Sequence, residues 1–164
     1  MYEAKRLLVP LDYSDVSRAA VSAGLRVAAA MDAEVWLLTV EEGMDREMKE
    51  RIITAPDETV VEDRITEGER ALVDAARLEA DRCTAAGKPL PFVPVHTRVT
   101  GGQWFEVILN TVAELQIDMI VVGTHGRDKG MKGIFSSTIS EKLVAKAPCS
   151  VLVVKPEGFP YLRD

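Results

Sequence analysis

The chain is 164 residues long, 47% apolar and 28% charged, with 26 acidic side chains against 20 basic ones and a net charge of -6. That length suits one domain with a real core and is short for two. The acidic balance argues against a nucleic-acid binder, whose electrostatic footprint would be basic, and against adhesion to an anionic membrane.

No run approaches the roughly 18 consecutive apolar residues of a membrane span. The opening "MYEAKRLLVPLD" enters a strand pattern without the layout of a signal peptide. Cys83 and Cys149 are far apart and lack metal-ligand spacing. With no export signal they are expected to be reduced thiols in a cytoplasmic protein.

Along the chain the apolar period changes repeatedly. "KRLLVPL" (5–11) predicts a strand, and in the helical stretch that follows Val16, Ala20, Ala23, Val27 and Ala30 fall at helical spacing, with Ser14 or Asp15 as cap. "EVWLLTV" (34–40) predicts a buried strand. From Glu41 to about Asp57 the chain is charged and ends in "APDE", which fits a loop with a short helical piece. A long helix runs from Glu58 until Gly87 and Pro89 stop it. "FVPVHTRV" (92–99) alternates, with Val93, Val95, Thr97 and Val99 on one face; Pro94 inside it marks an edge strand, because proline cannot donate to a ladder. "QWFEVILNTVAEL" places Phe105, Ile108, Leu109, Val112 and Leu115 on one helical stripe. "DMIVVG" (118–123) is a strand, "STISEKLVAKA" a helix with Thr138 and Glu141 spaced as a capping box, and "CSVLVV" (149–154) the last strand. The tail "PEGFPYLRD" is expected to lie over the surface.

Five strands alternating with four helices imply right-handed βαβ units, hence a single α/β domain over 1–164 with a five-stranded parallel open sheet and helices on both faces. With 92–99 at an edge, the natural strand order is 3-2-1-4-5. Ligands bind such a sheet beyond the strands' carboxyl ends, where the winding reverses, here between strands 1 and 4. The loops leaving those strands are "LDYSD" and "GTHGRDKGMKGIFSS", so Asp12 and a glycine-rich loop face one crevice.

The first βα turn has no Rossmann glycines, and G-x-x-x-x-G-K-[ST] is absent. The glycines come after strand 4 instead. Gly123 and Gly126 allow a sharp turn with exposed amides, Ser136, Ser137 and Thr138 stand at a helix N-terminus that favours an anion, and Arg127 and Lys132 add positive charge. Composition alone leaves a second reading open, since glycines fill many long loops, serines cap many helices and loop cations usually face water.

"LLVPLDYSDVSRAA", "DMIVVGTHG" and "STISEKLVAKAPCSVLVVK" resemble the universal stress proteins of the UspA type, a fold similar to the adenine nucleotide alpha hydrolases, over nearly the whole chain. The family's nucleotide-binding branch has the pattern G-x2-G-x9-G-[ST]. Gly123, Gly126 and Ser137 match it, while Ser136 stands where the third glycine falls. A second branch lacks the motif and binds no ATP. The resemblance implies ATP or another adenine nucleotide as ligand, with Pro10 and Asp12 at the end of strand 1. Asp12 would reach the ribose or, through water, a Mg or Mn ion. Val40 would meet the adenine edge through its backbone, and Gly123, Gly126, Ser136 and Ser137 would cradle the phosphates, with Thr138 beside them. The alternatives are that Asp12 is an ordinary acidic turn residue and Val40 a core valine. His125 has no partner forming a nucleophile–base pair, and neither it nor His96 is assigned catalysis. The resemblance also implies dimerisation through the last strand, whose apolar β-branched edge carries no charge or proline to protect it. The expected role is a stress-response sensor acting on a protein partner; a slow metal-dependent ATPase and a nucleotide-free dimeric interaction protein are the alternatives.

Overall fold

The structure, a computed structural model, describes residues 3–41, 59–90, 92–124 and 137–155. In chain order its elements are β1 (Arg6–Pro10), α1 (Asp15–Met31), β2 (Glu34–Glu41), α2 (Thr59–Ala85), β3 (Val95–Gly101), α3 (Trp104–Leu115), β4 (Met119–Gly123), α4 (Ser137–Lys146) and β5 (Ser150–Val154). The strands form one five-stranded sheet in the order β3-β2-β1-β4-β5, and every neighbouring pair is parallel. The order expected from the proline in strand 3 is the one found. The segment 42–58 and the tail 156–164, for which a loop and a surface course were expected, lie outside the described residues.

Alternation along the central strands sorts the core onto two faces. Leu7, Val9, Val35, Leu37 and Val121 pack beneath α1 and α2 with Ala20, Leu25 and Leu72. Leu8, Leu38, Val40, Ile120 and Val122 pack beneath α3 and α4 with Ile108, Val112 and Leu143. Each fully buried leucine contributes about 1.5–3 kcal/mol relative to exposure, so both faces contribute to stability.

Three local expectations are corrected. The buried face of α1 runs Val16, Ala20, Val21, Gly24, Leu25 and Ala28, whereas Ala23 and Val27 are half-buried and Ala30 is exposed. A Cβ at Gly24 would stand 2.8 Å from Val9 Cγ2, so the helix meets the sheet at a residue that carries no hydrophobic signal. On α3 the buried residues are Trp104, Ile108, Thr111 and Val112, with Phe105, Leu109 and Leu115 only half-buried. Strand β3 starts at Val95, not Phe92. Pro94 precedes it and only its carbonyl is used, accepting from Val35 N at 2.9 Å, so no ladder bond is lost. Val93 and Val99 are buried, but Val95 is 37% exposed, because an edge strand is covered incompletely.

Helix α2 ends as expected. Gly87 has φ +70 and Lys88 N donates to Cys83 O at 2.8 Å, a bond of the Schellman type that closes the last turn. Helix α4 begins at Ser137, which makes Thr138 its second residue, not the cap of a capping box. Both cysteines are free thiols. No helix among the described residues is long and apolar enough to cross a membrane.

Leu37 and Leu38 are fully buried neighbours that point to opposite faces. Leu37→Ala and Leu38→Ala are each expected to lower unfolding free energy by about 2–5 kcal/mol, measured by chemical denaturation. A loss below ~1 kcal/mol at either position would mean that its face is not packed as described.

Candidate functional site

The crevice forms where β1 and β4 part. Their ladder pairs Leu7 with Met119 and Leu8 with Ile120, and β1 ends at Pro10, opposite Leu38 of β2. Leu11 N still donates to Leu38 O at 2.8 Å, after which the chain turns into α1. In that turn Asp12 Oδ1 accepts from Ser14 N at 3.1 Å and from Ser14 Oγ at 2.5 Å. Ser14 caps α1, its Oγ accepting from Ser17 N. Asp12 is thus a half-buried turn residue fixed at the carboxyl end of β1.

Strand β2 outruns β1 by three residues, Thr39, Val40 and Glu41. The carbonyl of Leu38 faces β1, and backbone groups repeat their direction every second residue. The N–H and C=O of Val40 therefore point into the space beyond the end of β1. Its side chain is 6% exposed and belongs to the core under α3. A core side chain therefore leaves the direction of the Val40 backbone unaffected.

Between Asp12 and the end of β2 stands Tyr13, which sequence reasoning missed. Its φ of 62 is an outlier for a bulky side chain. Burial pushes the phenol pKa above its ordinary value of 10.0; a hydrogen bond with the Thr39 side chain opposes the shift, and the Glu41 carboxylate adds to it. The only sequence signal was an aromatic residue in an otherwise polar turn.

On the opposite wall, Gly123 ends β4 against the first turn of α1. A Cβ there would lie 2.5 Å from Val16 Cγ1 and 2.6 Å from Val16 O, so only glycine fits. This gives Gly123 a packing duty independent of any ligand. Thr124, also missed, is buried; its N–H donates to Val154 O at 2.9 Å and its Oγ1 accepts from Ser140 Oγ at 3.4 Å. That contact sets the first turn of α4 beside the end of β4, with the amides of Ser137 and Thr138 at a helix N-terminus. Pro10, Asp12, Val40, Gly123 and the start of α4 thus share the carboxyl end of the sheet. His125, Gly126, Arg127, Lys132 and Ser136 lie outside the described residues, as do the side chains of Ser137 and Thr138. His96 is elsewhere, at the amino end of the sheet, where it stacks on Trp36 with ring centroids 4.5 Å apart and meets Glu34 at 2.9 Å.

With this geometry in place, comparison with known proteins defines the class. The universal stress protein family profile matches residues 3–155, and the chain belongs to that family. Universal stress protein MJ0531 of Methanocaldococcus jannaschii is 28% identical over 156 residues, which cover 92% of this chain and 82% of that protein. A universal stress protein solved in complex with cAMP superposes with a TM-score of 0.57 at 20% identity, covering 95% of this chain and 100% of that one. The Archaeoglobus fulgidus universal stress protein solved in complex with dAMP does so with a TM-score of 0.56 at 14% identity, covering 94% and 100%. At these identities the two structures establish the shared fold.

Gly123→Ala is expected to lower stability by about 1–3 kcal/mol in thermal or denaturant unfolding, because the added methyl meets the Val16 backbone. A neutral result would show that α1 can move away freely. The raised phenol pKa favours the folded state fully below pH 10, and that contribution is lost as pH rises through the folded pKa. Subtracting a Tyr13→Phe phenolate absorbance titration from that of the parent should leave a single transition centred above the ordinary 10.0; one centred at or below it contradicts the burial.

Proposed function

We propose that this chain binds an adenine nucleotide, ATP foremost, in the β1/β4 crevice, and that it acts in the cytoplasm as a homodimeric stress-response regulator. The observation that carries the reading is the convergence at one end of the sheet of a strand backbone with outward-facing donor and acceptor, a fixed carboxylate, and a helix N-terminus. These are the three chemistries an adenine edge, a ribose and a phosphate chain require. The cAMP and dAMP complexes of fold relatives support the same ligand class.

In this reading the backbone of Val40 meets the adenine edge, and Pro10 shapes the floor beside Asp12. Asp12 takes the ribose hydroxyls. Gly123, Gly126, Ser136, Ser137 and Thr138 surround the phosphates, and Arg127 supplies charge. One oxygen of Asp12 already accepts twice from Ser14, and no cluster of three metal-ligating side chains occurs among the described residues. A Mg or Mn ion would accordingly be held mainly by the nucleotide's own phosphates, with Asp12 reaching it through water. The hydroxyl that meets the Asp12 carboxylate, that of Ser14, serves as the cap of α1. Occupancy would act by shifting the population of the surface a protein partner meets, not by turnover. The dimer forms through β5, whose outer edge has no partner strand among the described residues.

The test is to denature the purified protein and identify any nucleotide released, then to titrate stripped protein with ATP, AMP and cAMP. Gly126→Val should reduce affinity by at least ~100-fold, about 2.7 kcal/mol, with an unchanged unfolding midpoint. Unchanged affinity removes the loop from the site. Ser136→Gly should weaken binding a few-fold because the serine hydroxyl is used, whereas tighter binding would identify the serine as a compromise. Phosphate release that scales with protein concentration and disappears in Asp12→Ala would replace the regulator with an ATPase.

A further inference from the structure

Tyr13 stands between the two crevice groups assigned to the nucleoside, the Asp12 carboxylate and the Val40 backbone, and neither assignment uses it. Its chain neighbours Asp12 and Ser14 are locked together, because Asp12 Oδ1 accepts from both Ser14 N and Ser14 Oγ. The turn is thus a stiff unit. The backbone bond that ties its start to β2 is the one from Leu11 N to Leu38 O. Past that bond β1 has ended, while β2 continues for Thr39, Val40 and Glu41.

The side chain of Tyr13 crosses this gap. Its hydroxyl shares a hydrogen bond with the Thr39 side chain, and the Glu41 carboxylate is close enough to act on it electrostatically. Thr39 and Glu41 lie on the same face of β2 as Leu37, beneath α1 and α2. Glu41 extends along that face to α2, where a Cβ at Gly68 would stand 3.6 Å from Glu41 Oε1. Thr39 is 2% exposed, too deeply buried for its side chain to touch a ligand. The backbone that puts Tyr13 here is a costly one. A φ of 62 is free to glycine and resisted by tyrosine, and it persists only where the surroundings hold it. A turn that needed this backbone alone would be served better by glycine. What tyrosine adds is the bridge. Tyr13 follows Asp12 in the chain and Thr39 precedes Val40, so one hydrogen bond connects the immediate neighbours of the carboxylate and of the strand backbone.

Resting on the crevice reading above, we propose that Tyr13 is a positioning residue for the nucleoside half of the ligand, fixing the separation of the Asp12 carboxylate from the Val40 backbone so that ribose and base are engaged together. A ligand carrying both parts then meets two groups already held at their working distance, and less ordering is left to be done on binding. The phosphate chain, at the start of α4 on the opposite wall, lies outside this bridge.

The probes are ATP and AMP, titrated calorimetrically into the stripped protein and its variants, with thermal unfolding confirming that each variant is folded at the titration temperature. Tyr13→Phe keeps the ring and removes the hydroxyl, and should weaken both nucleotides by about 3–10-fold, the worth of one hydrogen bond. Thr39→Val should do the same although its side chain is out of the ligand's reach, and the double variant should lose no more than either single one. The ratio of ATP to AMP affinity should stay that of the parent throughout. Tyr13→Gly, which adopts the positive φ freely, should weaken binding at least as much as Tyr13→Phe; parent-like affinity there would make the backbone conformation sufficient and overturn the proposal. Unchanged affinity in Tyr13→Phe or Thr39→Val, additive losses in the double variant, or a loss for ATP that AMP does not share would also overturn it, the last by placing Tyr13 with the phosphates. If the parent binds neither nucleotide, the crevice reading fails and the bridge with it; if the parent binds them and the variants match it, only the positioning role fails.

Discussion

Much of this architecture depends on one close approach, the first turn of α1 against the end of β4. Where a Cβ of residue 123 would stand, the carbonyl of Val16 is only 2.6 Å away. Helix α1 leaves β1, yet by this contact it also covers β4, the strand on the other side of the winding reversal. A larger residue at 123 would push α1 outward and carry with it the Asp12–Ser14 turn. The crevice would then lose its wall and its carboxylate together. Packing and site are determined here by the same missing methyl group.

That geometry also distinguishes the two helix N-termini nearest the crevice. In α1 one first-turn amide is already served, since Ser14 Oγ accepts from Ser17 N, and Asp15 places a negative charge in the first turn. Adding an anion there would mean displacing a cap and approaching a carboxylate. Helix α4 has no acidic residue in its first turn and is held beside β4 by the Thr124–Ser140 contact. Of the two, α4 is the end whose dipole no carboxylate of its own first turn opposes. The opposite end of the sheet is closed by polar groups paired with one another. Asp118 accepts from the amides of Lys5 and Arg6, and Arg6 reaches both Glu34 and Leu115 O. Partly exposed pairs of this kind are worth only ~0–1 kcal/mol each, but they leave that end with no set of convergent donors comparable to the crevice.

The topology was legible because two signals agree. Pro94 can stand only at an edge or before a strand, and the apolar runs at 35–40 and 119–122 demand burial on both faces. Helix faces were less legible. In α1 the contact is centred on Gly24, and in α3 Thr111 is buried among apolar neighbours, so hydrophobic spacing pointed one notch away from the true face. Two helices end on residues no stop signal would mark, Asp32 and Gln116, both in the left-handed region at φ 51. At the site, Asp12 and Gly123 could be named from their positions at strand ends, whereas Tyr13 could not. Its place beside Thr39 and Glu41 goes with a positive φ at a residue type that rarely adopts one, and nothing in its neighbours encodes that.

Serine at position 136 is easier to understand once the start of α4 is known. The helix begins at Ser137, so position 136 directly precedes the first helical residue. That is where serine is among the preferred residues and where glycine is only modestly favoured. N-cap residues generally take an extended backbone with negative φ, which serine adopts without strain. A cradle built on a helix N-terminus generally favours a small side chain there, because backbone and ligand approach closely. Serine meets that requirement and adds a hydroxyl. On the proposed reading, serine in place of the pattern's glycine would change the chemistry offered to a phosphate while keeping the side chain small.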